Sequence, residues 1–395
     1  MNQRHFQALA AGVFILLLAC SCNGLKYSLP KIPVGQIATP EKQWDQAFSR
    51  NSGWTGGDVA SSFVIPGKRV LWVFGDSFIG EIADNRRLNA TMVNNSIAIH
   101  PDDPANPGKA PEPREIRFYW GENDSSGKPT AWIRPASGSA KTWYWPTGGG
   151  AVLSQADGDL RLALFLIELT KKPGEDSVWG FQCIRSSLAM VDNVEERAEL
   201  WQKRVIDLPP PADWGVAVLS EPSSDYVFIY GAESDPQNHR ELKLARARTQ
   251  SFEDFAQWEF FAGEGKWEKT FSHASAIVKD IASELTVEKV PDQTGAVHLV
   301  MIYSEPFLGS RILVRNSSHP QGPWSDPKPI FQVPEVKRSK TLFAYAAKGH
   351  FGISDPGTLL VSYIVNSQDF NELINHASLY HPKFISVPLR QIVIH

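Results

Sequence analysis

The sequence predicts an all-β protein of five repeats, each of four short antiparallel strands, on three observations. Short apolar runs, split by clusters of Gly, Pro, Asp and Asn, fill the chain after about residue 43, and no stretch sustains a 3.6-residue apolar period. One run recurs in variant form as VLWVFGD, LALFLIE, YVFIYGAE, VHLVMIYSE and TLLVSYIVN, each an apolar strand ending in a small or acidic residue. The repeats follow one another at roughly 65 to 75 residues, the spacing of four-stranded blades arranged radially. Together these describe a five-bladed β-propeller. A two-sheet sandwich is the rival fold, but five such repeats are too many for one sandwich core.

The elements follow in order. The first repeat holds Val59 to Ile65, Arg69 to Phe74, Asn94 to His100 and Ile116 to Trp120. The second holds Gly150 to Ser154, Leu160 to Leu169, Phe181 to Val191 and a run near Leu200. The third is Gly215 to Ser220, Tyr226 to Ala232, Glu241 to Arg248 and Trp258 to Ala262. Leu285 to Val290, Ala296 to Ser304, Arg311 to Asn316 and Trp324 to Phe331 make the fourth. The fifth has Ala344 to His350, Thr358 to Asn366 and Phe384 to Leu389, one strand short. A strand from Trp44 to Phe48 is expected to complete it and close the ring.

The N-terminus reads as an export signal over residues 1–19. Arg4 precedes an apolar stretch, Phe6 to Leu18, that is too short to span a bilayer comfortably. Leu17-Leu18-Ala19-Cys20 fits a bacterial lipobox, so Cys20 is expected to carry a lipid that anchors the protein to the cell envelope. A plain secretory peptide ending near a cysteine is the alternative. Residues 20–43 form a polar, Pro-containing tether with a second thiol, Cys22, and 44–395 are the propeller domain. Cys183 is the one cysteine beyond the tether and is expected in the core. A lone thiol supports neither a disulfide framework nor a zinc site. The net charge of −4 and the absence of a basic run exclude nucleic acid as a partner. No cofactor is required; a structural Ca²⁺ in the central channel is compatible with the fold, but nothing in the sequence demands it. A monomer is expected.

The opening hairpin carries the strongest chemical signal. Two strand runs are joined by Pro66-Gly67-Lys68, and Gly-Asp pairs stand at their outer ends, Gly57-Asp58 and Gly75-Asp76. Asp58 and Asp76 each lie nine residues from Gly67. A regular hairpin sets them opposite each other, with Cβ atoms about 5 Å apart. Two carboxylates so placed repel unless one holds a proton or something sits between them. Glycoside hydrolysis needs such a pair, one acid donating a proton while the other stays ionised. Aspartates that merely cap turns are the plain alternative. In a propeller, both ends of this hairpin open on one funnel. The equivalent strand ends elsewhere supply Tyr144 to Gly148, Asp213 to Gly215, Ser283-Glu284 and Tyr345 to His350, an acidic and aromatic pocket.

Several short segments carry a family likeness: GWTGGD (53–58), LWVFGDSFIG (71–80), VNNSIAIH (93–100), ILVRNSSHPQGPWS (312–325), AYAAKGH (344–350), LLVSYIVNSQDF (359–370) and LYHPKFISVPL (379–389). Across most of the chain they resemble the bacterial family known as domain of unknown function 4185, related to the endo-D-arabinanases of glycoside hydrolase family 183. That resemblance implies a five-bladed propeller with Asp58 and Asp76 as acid and base or nucleophile, in either order. It implies substrate contacts from Trp54, Asn94, Asn95, Trp145, Trp214, Glu284, Tyr345, Lys348 and His350. Five of these have a plainer reading: Asn94 and Asn95 satisfying a turn, Trp145 and Trp214 in the core, and Glu284 as a solvated strand end. Where the family has Pro-Glu after the histidine, this chain has Phe351-Gly352. The expected function is a lipid-anchored glycosidase acting on a furanose-containing, D-arabinan-like polysaccharide. A non-catalytic glycan-binding propeller of the cell envelope is the alternative.

Overall fold

The structure, a computed structural model, describes residues 37–136, 142–155, 158–175, 180–209, 212–220, 225–234, 239–306 and 308–393. The expected signal peptide, Cys20, Cys22 and the tether as far as residue 36 lie outside these residues. The described chain is all-β, with six antiparallel sheets and three short α-helices.

Five sheets match the five repeats. The first pairs Ser61–Ile65, Arg69–Phe74, Ser96–Pro101 and Arg117–Tyr119. Thr142–Ser154, Leu160–Lys171, Phe181–Val191 and Lys203–Asp207 form the second. The third is built on Asp213–Leu219, Tyr226–Ser234, Arg240–Arg248 and Glu259–Gly263, and the fourth on Leu285–Pro291, Val297–Ser304, Arg311–Ser317 and Lys328–Gln332. Leu342–Gly349, Thr358–Ser367 and Lys383–Pro388 make the fifth. The first strand of each sheet touches the first strand of the next, and the short helix Phe351–Ile353 after the fifth touches Ser61–Ile65 again. A cavity of about 270 Å³ lies on the axis, lined by Ser61 to Val64, Gly148 to Val152, Ala217, Leu285 to Glu288 and Gly349.

Three expectations need correction. Residues Ser52–Gly57, Ser77–Ala83 and Arg86–Val93 form a sixth, three-stranded sheet that the five repeats did not include. The third sheet has six strands, gaining Lys266–Glu268 and Val278–Lys279. The strand that completes the fifth sheet is Thr39–Pro40, paired with Ser386 and Ile385, whereas Trp44 sits in the helix Lys42–Ala47. Helical spacing puts Trp44, Ala47 and Phe48 on one buried face. That face packs on Trp72, Phe74 and Phe384.

Strands near the axis are covered on both faces, so they read as continuous apolar runs rather than alternations. Val70 to Phe74 and Leu162 to Ile167 are buried without a break. Each large side chain so buried stabilises the fold by about 1.5–3 kcal/mol. Cys183, expected in the core, is instead exposed in its strand.

Candidate active site

Asp58 and Asp76 meet where the first sheet joins the sixth. Ser61 pairs with Val73 on one side of them and Gly57 with Ser77 on the other, in one continuous register. Between these ladders the Asp58 N–H donates to the Asp76 carbonyl at 3.3 Å. The hairpin count from Gly67 therefore holds, and the aspartates share one level of the hairpin. Beyond Asp58 the backbone is strained. Val59 and Ala60 take φ of 64° and 50°, and a β-branched residue in this left-handed region is costly, by about 1–2 kcal/mol. Gly75 is required here, because a Cβ on it would collide with Asp58 Oδ1.

Each carboxyl has one oxygen held and one free. Asp58 Oδ2 accepts from the hydroxyls of Tyr345 (2.7 Å) and Tyr380 (3.0 Å). Asp76 Oδ1 accepts from the Trp145 indole N–H (2.8 Å) and the Asn94 amide (3.2 Å). Asp58 Oδ1 and Asp76 Oδ2 are buried and have no hydrogen-bond partner. Burial raises Asp58 well above the ordinary carboxyl range, and the nearby charges of Asp76 and Glu284 add to that rise. Burial also lifts Asp76, to about 7, against the opposing pull of its Trp145 and Asn94 donors. Both carboxyls are thus biased toward their protonated forms, with neighbouring negative charge adding to the bias at Asp58.

A buried cation completes the pocket. Lys348 has no exposure, lies 3.8 Å from Glu284 Oε2, and donates to the Leu285 carbonyl at 3.3 Å. Burial lowers its pKa, while Glu284 and Asp58 favour its charge. Burial raises Glu284, partly offset by Lys348. Gly148, at φ 98°, leaves room for the Lys348 ammonium, which a side chain would strike. A bulge between Tyr345 and Lys348, with Ala346 at φ 52°, lets both residues serve the pocket.

Asp58, Asp76, Asn94, Trp145, Glu284, Tyr345 and Lys348 thus come together as the sequence suggested. Four expected residues do not join them. Trp54 is buried against Phe118 (4.5 Å, stacked), and Trp214 is buried among Trp258, Phe260 and Phe271. Asn95 is a buried clip, donating to the Ile133 and Tyr144 carbonyls and accepting from the Ile133 N–H. His350 lies between Ser62 Oγ and Ser362 Oγ, at 2.8 Å each, against Trp72; burial takes its pKa down to about 3, so it stays neutral. Apolar strands with both faces covered absorb such aromatic and polar groups as core.

Sequence reasoning missed Tyr380 and the residue that sets it. Tyr380 takes φ 63°, and the preceding carbonyl, Leu379, accepts from Arg87 at 2.7 Å. Buried Arg87 also donates to Thr55, Leu373 and Ala377 carbonyls, and its guanidinium lies over Phe78. The signal available was LYHPKF itself, which supplied family likeness without marking Tyr380. No group of three or more metal-ligating side chains occurs among the described residues.

Fold and site together define an all-β protein whose sheets circle an axis and hold a buried, unequal acid pair at one end. The chain belongs to the family described as domain of unknown function 5005 (DUF5005), whose profile matches residues 41–388. The motif likeness to domain of unknown function 4185 is a different family from the one so shown. No curated protein matches the sequence. A candidate hydrolase from Bacteroides ovatus has a similar structure, with a TM-score of 0.71 and 18% identity over 91% of this chain and 92% of that one. Looser likenesses include an exo-β-1,3-galactanase of Phanerochaete chrysosporium with β-1,3-galactotriose (TM-score 0.45, 12% identity, 86% of this chain and 63% of that one). Another is an α-L-arabinofuranosidase of Podospora anserina in complex with cellotriose (TM-score 0.42, 10% identity, 89% and 94%). Likenesses at that level carry no argument about activity.

Proposed function

We propose that this protein is a five-bladed propeller glycoside hydrolase in which Asp58 is the general acid and Asp76 the nucleophile. One observation carries the reading: each buried carboxyl has one oxygen held by two donors and the other free. A turn-capping aspartate would spend its oxygens on backbone N–H groups. Asp58 gives its proton to the glycosidic oxygen as the C–O bond breaks, and Asp76 Oδ2 bonds to the anomeric carbon. Water then releases the sugar, losing a proton to Asp58. Facing positions at one level of a hairpin favour this retaining course over an inverting one, which needs room for a water between the acids.

The motif likeness supports a furanose-containing, D-arabinan-like polysaccharide as the proposed substrate. The N-terminal motif supports a lipid-anchored envelope protein through Cys20.

The test is product release from arabinans, galactans and other furanose polymers by wild type, Asp58→Asn and Asp76→Asn. Activity on one polymer, lost in both variants with folding intact, supports the reading. Binding without hydrolysis, unaffected by either substitution, replaces it with the glycan-binding alternative.

A further inference from the structure

The second sheet reaches past the acid pair. Its strands Thr142–Ser154 and Leu160–Lys171 have 13 and 12 residues, against 5 and 6 in the opening hairpin. The surplus lies at the end where Trp145 touches Asp76. There the pairing Trp145–Ile167 and Trp143–Leu169 is regular, so Trp143 faces the same way as Trp145, two residues (about 7 Å) further out. Ile167, Leu169 and Phe181 support both indoles in an apolar cluster of their own, apart from the main cores. The rings meet edge to face, Trp145 on Phe181 at 5.0 Å and Trp143 on Trp145 at 6.2 Å. Both tryptophans stay half-buried. The Trp145 N–H is spent on Asp76, and the Trp143 N–H is turned inward, buried without an acceptor, so the indoles offer ring surface rather than a donor.

This overhang starts at the Asp76 carboxyl and carries its two indoles outward from it. Resting on the glycosidase reading, we infer that Trp143 and Trp145, backed by buried Phe181, form an aromatic ledge that binds the sugar unit next to the one attacked by Asp76. A sugar ring offers an apolar C–H face to an aromatic side chain, and stacking needs no donor from the indole. The ledge therefore favours a chain of at least two units on that side, while a single sugar reaches the acid pair without touching it.

Kinetics on an arabinan or galactan oligosaccharide ladder and on a nitrophenyl furanoside test this with Trp143→Ala and Trp143→Phe. Trp143→Ala should raise KM for oligosaccharides roughly tenfold, equivalent to about 1.4 kcal/mol, with kcat little changed. The nitrophenyl furanoside should be handled as by wild type, and Trp143→Phe should recover part of the loss. Equal losses on short and long substrates, or no loss on either, overturn the ledge and leave the glycosidase reading standing. Wild type that cleaves nothing on the ladder overturns both.

Discussion

The Asp58 N–H donates to the Asp76 carbonyl, and the register is the same on both sides of that bond. Two acids are thereby fixed to one level of a hairpin by backbone alone. Their neighbours differ, two tyrosine hydroxyls on Asp58 and an indole with an amide on Asp76.

Activity should follow a bell-shaped pH profile. Asp76, with its pKa near 7, must be ionised to attack, so the rate rises with pH through about 7. Asp58 must be protonated, so the rate falls again at higher pH. Trp145→Phe removes a donor to ionised Asp76 and should move the rising limb up by about one unit. A rising limb at pH 4, unmoved by Trp145→Phe, would sink the assignment.

The acid pair should cost stability at neutral pH. A carboxyl raised in the folded state binds its proton more tightly there than when unfolded, so stability falls as pH climbs from 3.8 to about 7. Asp76→Asn should therefore be more stable than wild type at pH 8, by on the order of 1 to 3 kcal/mol, and gain little at pH 4. Urea denaturation at the two pH values measures this. An equal effect at both pH values would mean that desolvation is not the cause.

Arg87 should be structurally expensive to lose. It satisfies four carbonyls with no carboxylate partner among its hydrogen bonds. Burial lowers its pKa to about 9. Arg87→Ala should cost about 2–4 kcal/mol, because the carbonyls stay buried without donors. Since the Leu379 carbonyl precedes Tyr380, the variant should also lose activity when assayed well below its melting temperature. Full activity in a destabilised Arg87→Ala would separate the two effects and refute the link to Tyr380.

Two tryptophans should behave in opposite ways. Trp214→Ala opens a cavity in the core and should cost about 3–5 kcal/mol. Trp145→Ala should unfold at nearly the wild-type temperature yet lose most activity, because its N–H holds Asp76. Differential scanning calorimetry beside the polymer assay compares them. Equal thermal losses would place Trp145 in the core with Trp214.

The strands and the level shared by Asp58 and Asp76 were legible because both depend on near neighbours. Apolar runs between turn residues mark strands, and counting outward from Pro66-Gly67-Lys68 pairs the aspartates. The sixth sheet was not legible, since Ser77–Ala83 and Arg86–Val93 alternate weakly and Gly57 continues a ladder across a strained break. Nor did the sequence tell Trp145 from Trp214, as both open the inner strand of their repeats. The bulge and overhang of the second sheet turn one toward Asp76, while Trp258 and Phe271 enclose the other.

By itself, then, the sequence determined the repeating all-β architecture and the opposed acids, features set by local pattern and turn count. Tertiary structure alone decided that Tyr345 and Tyr380 hold Asp58, that Lys348 lies buried beside Glu284, and that Asn95 and His350 are structural. Those partners come from 12 to 322 residues away. Their directions depend on left-handed residues and bulges that a one-residue change in register would reverse, and no local pattern encodes that choice.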